Sequence, residues 1–422
     1  MVNETYILNH LSHVNLDIRE TKDGTWIDQK CTMDVVSYVA DTIVAYVSDC
    51  EELGEIDPVF SIKTIWNQDY SKENMYIFGK RPVEIKDSEY DKFFGQPIKM
   101  LRHADVIKIH HKHGNQLFFT VNDIELLEYI AQSERKALMF LQLYISEVLK
   151  ASGLYESFES FFDRQNQEAY LEIKRAFESL MITYTGKGKK GGDASVECNR
   201  IFTKVLNPLA FKFGKKGSEG GDISEDIIQQ SDLIYNRKNF RDIAIGKPKN
   251  ISRNEYENSL PDEILEARVE YEITKAKKNV KRYNKKANAG LSECVVDYSI
   301  NIDGVDYLIE LEEVKKIATQ MHHIFPKHSY PTIAAFLENL IALSPNQHVL
   351  YAHPEGRTQE INRVYQYYLL MCKVDRVRRD VSGFYSFSNL IYVLNTGFET
   401  DEFDQVEEND YSRIIELIKM RY

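Results

Sequence analysis

The stretch from Gln320 to Thr358 reads QMHHIFPKHSYPTIAAFLENLIALSPNQHVLYAHPEGRT and contains five of the eleven histidines in this 422-residue chain. Two of them, His322 and His323, are adjacent, and Asn339 follows sixteen residues after the pair. A neutral imidazole can take a proton from water near pH 7, and it can also bind a divalent metal ion. The stretch therefore predicts a metal-dependent hydrolytic site, with an inert, histidine-rich α+β segment as the alternative.

The adjacent histidines are predicted to lie on a short strand, where successive side chains point to opposite faces. One imidazole can then bind a metal ion while the other activates water. Phosphodiester hydrolysis needs such a set, because it requires a nucleophilic water, a cation on the phosphate and help for the leaving 3′ oxygen. A helix that starts after Pro345 and runs through His348 would bring further imidazoles to the same ion.

These residues resemble the HNH, or ββα-metal, nuclease motif. That motif has a His-His or Asp-His pair followed by a proline, then Asn-Leu-x-x-Leu, then a helix with metal ligands. The matching segments are His322-His323-Ile324-Phe325-Pro326 and Glu338-Asn339-Leu340-Ile341-Ala342-Leu343-Ser344-Pro345-Asn346-Gln347-His348. The resemblance implies that His322 and His348 are metal ligands, that His323 is the general base, and that Asn339 braces the loop and orients the base. The implied ion is Mg²⁺ or another divalent metal such as Mn²⁺.

The spacing after His348 departs from the family pattern, which often places the next histidine four residues on. Here that position is Ala352, and His353 is five residues on. In an α-helix, residue i+5 is turned well away from the face of residue i+4. Either the helix ends early and His353 swings in as a third ligand, which we expect, or two histidines bind the ion with water and phosphate. Asn346 is a weaker alternative for the helical ligand, and His328 lies outside the pattern.

The cysteine pairs that frame some HNH cores with a structural zinc are absent from this sequence. The five cysteines are scattered, with no C-x-x-C spacing, which favours a reducing cytoplasm. Apolar packing alone is therefore expected to hold the nuclease core. The residues expected to do so are Leu337, Leu340, Ile341, Leu343, Val349 and Leu350.

Pro261 to about Ala289 is predicted to form one long helix that Gly290 ends. Acidic residues lie in its first turns and basic residues towards its end. Helix stability alone favours this charge order, so a solvated helix is an alternative to a DNA-binding one. The helix ends some thirty residues before the histidines, and positive charge there would neutralise phosphates. The expected DNA contacts on it are Lys275, Lys278, Lys281, Arg282 and Lys285.

The N-terminal part is predicted to hold three helices followed by a hairpin. The helices are Cys31–Val47, Ser61–Asn67 and Asp91–Ile107, the last starting in earnest after Pro97, and the strands are Val106–His111 and Gln116–Val121. This is the order of a winged helix, although any small α+β domain is an alternative. Candidate phosphate contacts are Lys99, Arg102, Lys108 and Lys112, of which Arg102 and Lys108 are the expected DNA-binding residues.

The middle of the chain is predicted to be a helical and linker region. Glu125–Leu154 has the pattern of a core helix. Gly186–Gly192 and Gly214–Gly221 are glycine-rich and basic but do not match a P-loop. They are interpreted as mobile linkers that could close over DNA phosphates, or as plain solvated loops.

The fold class expected from these patterns is α+β and multidomain, with a helical-rich N-terminal part and a C-terminal ββα-metal core. The expected division is a DNA-recognition domain in residues 1–123, the helical linker region in 124–260, and the basic helix with the nuclease domain in 261–422. A hydrophobic fraction of 43 % is enough to bury real cores.

Net charge is −12, but the charges are segregated. Residues 275–286 hold seven basic and no acidic residues, and residues 399–410 hold seven acidic and no basic ones. A basic patch matters more for DNA binding than the sum of charges. No apolar run reaches the roughly 18 residues of a membrane helix, and no signal peptide is evident, so a cytoplasmic protein without a membrane partner is expected.

Larger HNH proteins of the restriction–modification type resemble the chain more loosely. The resemblance rests on Gln347-His348, Ala352-His353-Pro354, the Tyr365–Leu370 segment and the region from Trp26 to Trp66. It implies a type II restriction endonuclease that cuts a specific double-stranded DNA sequence as a homodimer. A modification-dependent or phage-defence HNH nuclease is the first alternative. A non-catalytic DNA-binding regulator is the second.

Overall fold

The computed structural model describes residues 2–78, 87–187, 194–235, 262–294, 300–302, 305–307, 315–353 and 362–422. Contacts divide the chain into two compact units, Val2–Ala267 and Arg268–Tyr422. The structure is α+β, as the sequence predicts, with many helices and small antiparallel sheets. The division into recognition, linker and nuclease segments is a functional one and stays a prediction.

The first unit is built mainly from helices. These are α1 (Glu4–Ser12), α2 (Ile18–Thr21), α3 (Met33–Glu52), α4 (Ile62–Trp66), α5 (Asp69–Asn74), α6 (Asp87–His103), α7 (Ile124–Gln132), α8 (Glu134–Ala151), α9 (Tyr155–Arg164), α10 (Gln167–Leu180) and α11 (Ala194–Lys212). Its strands are β1 (Phe60–Ser61), β2 (Ile107–His113), β3 (Gln116–Val121), β4 (Lys216–Glu219) and β5 (Asp222–Ile227). Shorter turns of helix lie at Met75–Phe78, Met181–Thr185 and Gln230–Asp232.

The helix α3 lies at the centre of this unit. Fifteen of its twenty residues are buried, and a helix that is apolar on nearly every side must be surrounded by other elements. It packs against α7 and α8. The helix predicted over Cys31–Val47 is therefore confirmed, with an end one turn later.

The predicted hairpin is also confirmed. Strands β2 and β3 pair antiparallel, and β1 pairs with the other edge of β3, giving the strand order β1-β3-β2. Gly114 has a φ of +58° in the connecting turn, a backbone conformation that glycine adopts without steric cost. The short helix predicted over Ser61–Asn67 is α4, which packs against α6.

The helix α6 corrects the prediction that Pro97 marks a first turn. The helix begins at Asp87 and continues through Pro97, although a proline removes a backbone donor. Phe93, Phe94 and Ile98 are fully buried around it. Their burial offsets the lost hydrogen bond, since each large apolar side chain contributes about 1.5–3 kcal/mol.

Of two predictions about the middle of the chain, one is confirmed and one is wrong. The stretch Glu125–Leu154 is helical and largely buried, and it forms two helices because Ser133 caps α8 by accepting a hydrogen bond from Lys136 N. The linker expected at Gly214–Gly221 belongs largely to the β4–β5 hairpin. Gly217 is tightly packed there, since a Cβ atom would lie 2.4 Å from Asn207 Oδ1. The other linker, Gly186–Gly192, lies mostly outside the described residues.

The second unit contains the region of the histidines. Its helices are α12 (Asp262–Asn288), which starts in the first unit, α13 (Arg363–Arg379), α14 (Phe387–Phe398) and α15 (Tyr411–Lys419). Its strands are β6 (Ile300–Ile302), β7 (Val305–Tyr307), β8 (Gln320–His323) and β9 (Leu340–Leu343). Short helical segments lie at Pro331–Ile333, Leu337–Asn339, Gln347–Ala352 and Glu402–Gln405.

The predicted long helix is confirmed as α12. Gly290 follows its end with a φ of +72°, and its N–H donates to Asn284 O at 3.1 Å. A glycine with positive φ is a common way to end a helix. The position of Pro261 lies outside the described residues.

Apolar packing in the second unit differs in part from the prediction. Leu340, Ile341 and Leu343 are buried, as expected. Val349 and Leu350, however, are 51 % and 65 % exposed, so they do not hold this core. Helices α13, α14 and α15 supply the larger share of the buried side chains instead.

Across the described ranges, no single helix has both the length and the apolar composition of a membrane span. The helices α8 and α9 meet these criteria only as a pair, and the chain bends by 115° between them.

Candidate metal centre

The two-stranded sheet of β8 and β9 positions the adjacent histidines. The strands pair antiparallel, with His322 opposite Ile341 and His323 opposite Leu340. Because successive side chains on a strand point to opposite faces, the two imidazoles have different surroundings. His322 is buried, with 3 % of its surface exposed, whereas His323 is only partly buried.

Three histidines from two elements meet in space. The ring centroids of His322 and His348 are 5.2 Å apart, and the centroids of His353 and of each of the others are 5.0 Å apart. One nitrogen from each ring can be chosen so that all three lie within 4.8 Å of one another. The structure thus brings together all three residues that the sequence predicts as metal ligands.

The segment Gln347–Ala352 explains how His353 reaches this cluster. It is a π-helical turn, with hydrogen bonds from residue i+5 to residue i, and His353 follows it in an extended conformation. In an α-helix, residues five apart are rotated by about 140° from each other. The wider turn reduces this rotation, so that His348 and His353 can face the same point. Of the two arrangements that the sequence leaves open, the structure has the one in which the helix ends early.

The cluster has the chemical character of a ligand set for a divalent ion. Nε2 of His322 is buried and has no hydrogen-bond partner, which is costly for a polar atom unless a ligand satisfies it. Burial, and then the neighbouring rings of His348 and His353, lower the pKa of His322 well below its usual value. Burial and His353 also lower the pKa of His348. Neutral rings keep the lone pairs that bind a metal, so these residues fit a divalent ion.

The donor set favours particular ions. Among the described residues, the cluster contains three imidazoles and no carboxylate. Imidazole suits Zn²⁺, Ni²⁺, Cu²⁺ and iron, whereas Mg²⁺ prefers oxygen ligands. Mg²⁺ or Mn²⁺ would therefore need oxygens from water or a bound phosphate to complete its coordination.

His323 has the protonation state of a base. Its Nε2 lies 3.0 Å from the carbonyl oxygen of Ala334, so Nε2 carries the proton and donates it. The other nitrogen, Nδ1, is then an acceptor. Burial, and then the charge of Lys277, lower the pKa of His323 to about 4. The ring is therefore neutral at physiological pH.

Asn339 braces the loop that follows β8. Its side chain is fully buried, accepts a hydrogen bond from Phe325 N at 2.8 Å, and donates to the carbonyl oxygens of Phe325 and Ile333. The backbone carbonyl of Asn339 also accepts from Ile324 N. The loop that it holds includes Ala334, the partner of His323. The geometry is the one predicted for Asn339, while its part in catalysis stays a prediction.

Sequence reasoning missed a buried polar network behind the sheet. Glu293 accepts a hydrogen bond from Ala342 N at 2.7 Å and lies 3.4 Å from the ammonium of Lys373, and both side chains are fully buried. Lys373 and Tyr385 are 3.0 Å apart, and the Tyr385 hydroxyl also donates to Glu293. The network holds the middle of β9. Isolated charged residues in a sequence carry no signal that they meet in a core.

Gln347 supports the helical side of the cluster. Its Oε1 accepts hydrogen bonds from the Ser292 hydroxyl at 2.6 Å and from Ser344 N at 3.0 Å. The Ser344 hydroxyl accepts in turn from Gln347 N. These bonds fix the start of the turn that carries His348. The sequence placed Gln347 inside the motif but gave no reason to single it out.

The predicted DNA contacts on α12 differ in accessibility. Lys281 and Lys285 are exposed, and Lys278 and Arg282 are partly buried. Lys275 is only 3 % exposed. The prediction that Lys275 contacts DNA is therefore corrected, because a buried ammonium cannot reach a phosphate.

The predicted DNA contacts in the first unit also differ in accessibility and pairing. Lys108 is exposed on β2. Arg102 forms a salt bridge with Asp23 at 2.5 Å and donates to Thr25 Oγ1. Its charge is thus already compensated, which weakens its case as a phosphate contact. His328 and Asn346 are exposed and lie outside the metal cluster.

No protein-family model matches this sequence, and no curated protein and no solved structure shows significant similarity to it. The functional argument therefore rests on the residues and geometry of the chain itself.

Proposed function

We propose that this protein is a metal-dependent DNA endonuclease with an HNH, or ββα-metal, active site. The observation that carries the proposal is the convergence of His322, His348 and His353 beside a fourth, neutral histidine, His323. His322 and His323 lie on β8, and His348 and His353 lie in and directly after the helical turn that follows β9. Two antiparallel strands followed by a helical turn are the order of elements in the motif that the sequence resembles.

The proposed reaction is hydrolysis of a phosphodiester. The oxygen of a water attacks phosphorus while the bond from phosphorus to the 3′ oxygen breaks. A proton of the water passes to Nδ1 of His323, and the departing 3′ oxygen takes a proton from solvent. The products are a 5′-phosphate and a 3′-hydroxyl. A divalent ion held by His322, His348 and His353 would supply positive charge at the phosphate oxygens and the departing oxygen.

The chain's own residues prepare this step. The carbonyl of Ala334 fixes the tautomer and orientation of His323, and Asn339 fixes the loop that contains Ala334. Such positioning matters because proton transfer requires the base within hydrogen-bond distance of the water. The ion is proposed to be Mg²⁺ or Mn²⁺. Three imidazoles alone would match a later transition ion, such as Co²⁺ or Ni²⁺, better than either.

DNA recognition is proposed for the first unit. The order α3, β1, α4, α5, α6, β2, β3 is that of a winged helix with one short additional helix, α5, and the strand order β1-β3-β2 supports the same comparison. The β2–β3 hairpin, with Lys108 and Lys112 exposed, would then be the wing. The exposed end of α12, with Lys281 and Lys285, would add phosphate contacts near the second unit's site.

We further propose that the activity is that of a type II restriction endonuclease, which acts on double-stranded DNA in the cytoplasm. A homodimer is proposed because two strands must be cut and each active site cuts one. The five cysteines are all free and buried, a state suited to a reducing compartment.

Incubation of the full chain with bacteriophage DNA and Mg²⁺, Mn²⁺ or EDTA tests the proposal. Discrete metal-dependent bands are expected. Bands or smears only from methylated DNA would favour a modification-dependent nuclease instead. If neither methylated nor unmethylated DNA is cut with any divalent ion, the nuclease proposal fails and a DNA-binding regulator becomes the better explanation.

A further inference from the structure

Lys277 belongs to the part of α12 that packs against strands β8 and β9. Its neighbours on α12, Ala276 and Val280, pack against Leu340, the residue that pairs with His323 across the sheet. Met321, which precedes His322, packs against the same group. This packing brings the α12 face next to Lys277 onto β8, the strand that carries both adjacent histidines, and onto its partner β9.

The charge of Lys277 acts on the whole cluster. It lowers the pKa of His322, His323 and His348, although in each case burial is the larger cause. A charge acts on three rings in this way only if it lies near all of them, since water screens more distant charges. The packing of α12 on these strands thus accounts for an effect of the Lys277 charge on both the cluster and His323.

Lys277 has no direct ion-pair partner among the described residues, although the charge of Glu270 favours its ammonium form. It is partly buried, and within the described residues it forms neither a hydrogen bond nor an ion pair. The nearby carboxylate of Glu270 pairs instead with Lys327, at 3.0 Å. Burial, and then repulsion from Lys327, lower the pKa of Lys277. A partly buried cation whose neighbouring carboxylate already pairs with another lysine is stabilised when a further anion binds.

We propose that Lys277 and the three-histidine cluster together form a phosphate-binding site, in which the ammonium of Lys277 binds a non-bridging phosphate oxygen. The identification of this group as the scissile phosphate of DNA rests on the proposed function. Lys277 then differs from the exposed lysines further along α12. Those would contact the DNA backbone at large, whereas Lys277 would contact the one phosphate that reacts.

Phosphate binding can be measured without any cleavage. The probe is inorganic phosphate, observed by phosphorus NMR in the presence of the full chain loaded with Mn²⁺, which broadens the line of a phosphate bound nearby. The wild type and Lys277→Arg are expected to broaden the line. Lys277→Met is expected to bind phosphate at least about tenfold more weakly, a loss typical of a charge-assisted hydrogen bond. Lys419→Met removes the same charge from an exposed position on α15 and is expected to match the wild type.

Cleavage gives a second readout. At saturating DNA, Lys277→Met is expected to lower the single-turnover rate by about 100-fold, with DNA affinity nearly unchanged. Equal phosphate broadening by Lys277→Met and wild type, or none by wild type, overturns the inference. Lysine-dependent phosphate binding by a wild type that cuts no DNA would leave the phosphate site standing and reject the nuclease proposal. Lys277→Arg and thermal unfolding of each variant separate loss of the phosphate interaction from loss of the fold.

Discussion

At the scale of single residues, the four histidines of the proposed site differ in what surrounds them. His322 is buried without a hydrogen-bond partner at Nε2, whereas His323 is fixed by the Ala334 carbonyl. The same side chain therefore suits metal binding in one position and proton transfer in the next. This separation follows from the alternation of side chains along β8.

Substitution of the proposed base should separate chemistry from binding. His323→Ala is expected to lower the single-turnover cleavage rate by about 10²–10⁴-fold, the usual contribution of a general base. Metal affinity and DNA affinity should stay close to those of the wild type, because the ligand rings remain. His328→Ala, an exposed histidine five residues on, is the matched control. Normal cleavage by His323→Ala would show that another group takes the proton.

Substitution of a ligand should act on the metal first. His353→Ala is expected to lower the affinity for Mn²⁺ or Ni²⁺ by more than about 100-fold. Loss of a residue that only hydrogen-bonds to a metal ligand typically costs about 10–100-fold, and loss of the ligand itself should cost more. Calorimetric titration measures this directly, and Asn346→Ala serves as the control. Three imidazoles should also bind Ni²⁺ more tightly than Mn²⁺, and Mn²⁺ more tightly than Mg²⁺. Tight Mg²⁺ binding that survives the loss of His353 would mean that the ion binds elsewhere.

Sequence alone could predict the histidines and Asn339, because their chemistry and spacing are visible along the chain. It could not predict Lys277, Glu293 or Lys373. Their roles depend on how α12 and α13 pack against the sheet, and seven basic residues in one run give no sign of which one is near the site. It also placed Lys275 on the surface, because helical spacing alone does not show which face is covered.

At the scale of elements, the loop between β8 and β9 is held from two sides. Asn339 binds the backbone of Phe325, and the Phe325 ring lies against Gly397 of α14. A Cβ atom at position 397 would lie 2.5 Å from this ring. The packing of α14 thus limits where the loop, and with it the partner of His323, can lie.

Gly397→Ala tests this packing. The added methyl group is expected to lower the free energy of unfolding by about 1–3 kcal/mol, the usual cost of overpacking a core. Alanine has the higher helix propensity, so local preference alone would predict a stabilisation. Urea unfolding measures the change, and Thr396→Ala, the preceding residue in α14, is the control. A stabilised Gly397→Ala would show that the ring moves aside freely.

The first unit contains an ion pair that joins α1 to the start of α7. His10 Nδ1 lies 3.0 Å from Asp123 Oδ2, and its Nε2 lies 2.9 Å from the carbonyl of Ala104. Burial alone would favour the neutral ring, but the hydrogen bonds to Asp123 and Ala104 raise the pKa of His10 above its usual value. The pKa of Asp123 is lowered, because hydrogen bonds from His10 and Leu126 N outweigh its burial.

This pair should make stability depend on pH. A raised histidine pKa stabilises the fold fully below the unfolded value of about 6.5, and the contribution disappears as pH rises through the folded value. The lowered pKa of Asp123 acts above about 3.9 and is lost as pH falls through its folded value. His10→Gln should therefore lower the free energy of unfolding by about 1.5–3 kcal/mol near pH 5.5, and by less at pH 8.5. His13→Gln, at an exposed position directly after α1, is the matched control. A loss equal at both pH values would mean that the His10 ring is not charged.

Most elements of the first unit could be predicted from periodicity and turn residues. The departures have local causes. A serine cap divides one predicted helix, and a proline inside α6 is tolerated by the burial around it. Gly217 and Gly221 belong to a packed hairpin, although the glycine-rich composition of this segment predicts a linker. Tertiary packing determines these helix boundaries and this hairpin, and packing cannot be predicted from local patterns in a single sequence.

At the scale of the whole molecule, charge is distributed unevenly in a chain whose net charge is −12. The C-terminal turns of α12 expose Lys281, Lys285 and Lys286, and the tip of the β2–β3 hairpin exposes Lys112. An acidic protein can bind DNA through such patches, because affinity depends on local counterion release and not on net charge.

The salt dependence of DNA binding tests the contribution of α12. The double variant Lys281→Ala/Lys285→Ala is expected to weaken binding for specific and unrelated sequences alike. The slope of log Kd against log salt concentration should fall by about 2, close to one for each phosphate that a lysine no longer neutralises. Lys419→Ala should leave the slope unchanged. An unchanged slope in the double variant would mean that α12 is the solvated helix that its charge order also allows.

The π-helical turn at Gln347–Ala352 also bears on how such sites tolerate insertions. One additional residue between two ligands would rotate the second ligand away from the ion on an α-helix, and the wider turn absorbs that residue without displacing either imidazole. Deletion of Val349, which is exposed, would leave the two histidines four residues apart, the spacing that an ordinary α-helix needs. The spacing of the proposed ligands and the type of helix can therefore change together while the imidazoles keep the same arrangement. A difference of one residue in length at this point is thus compatible with the same three-histidine cluster.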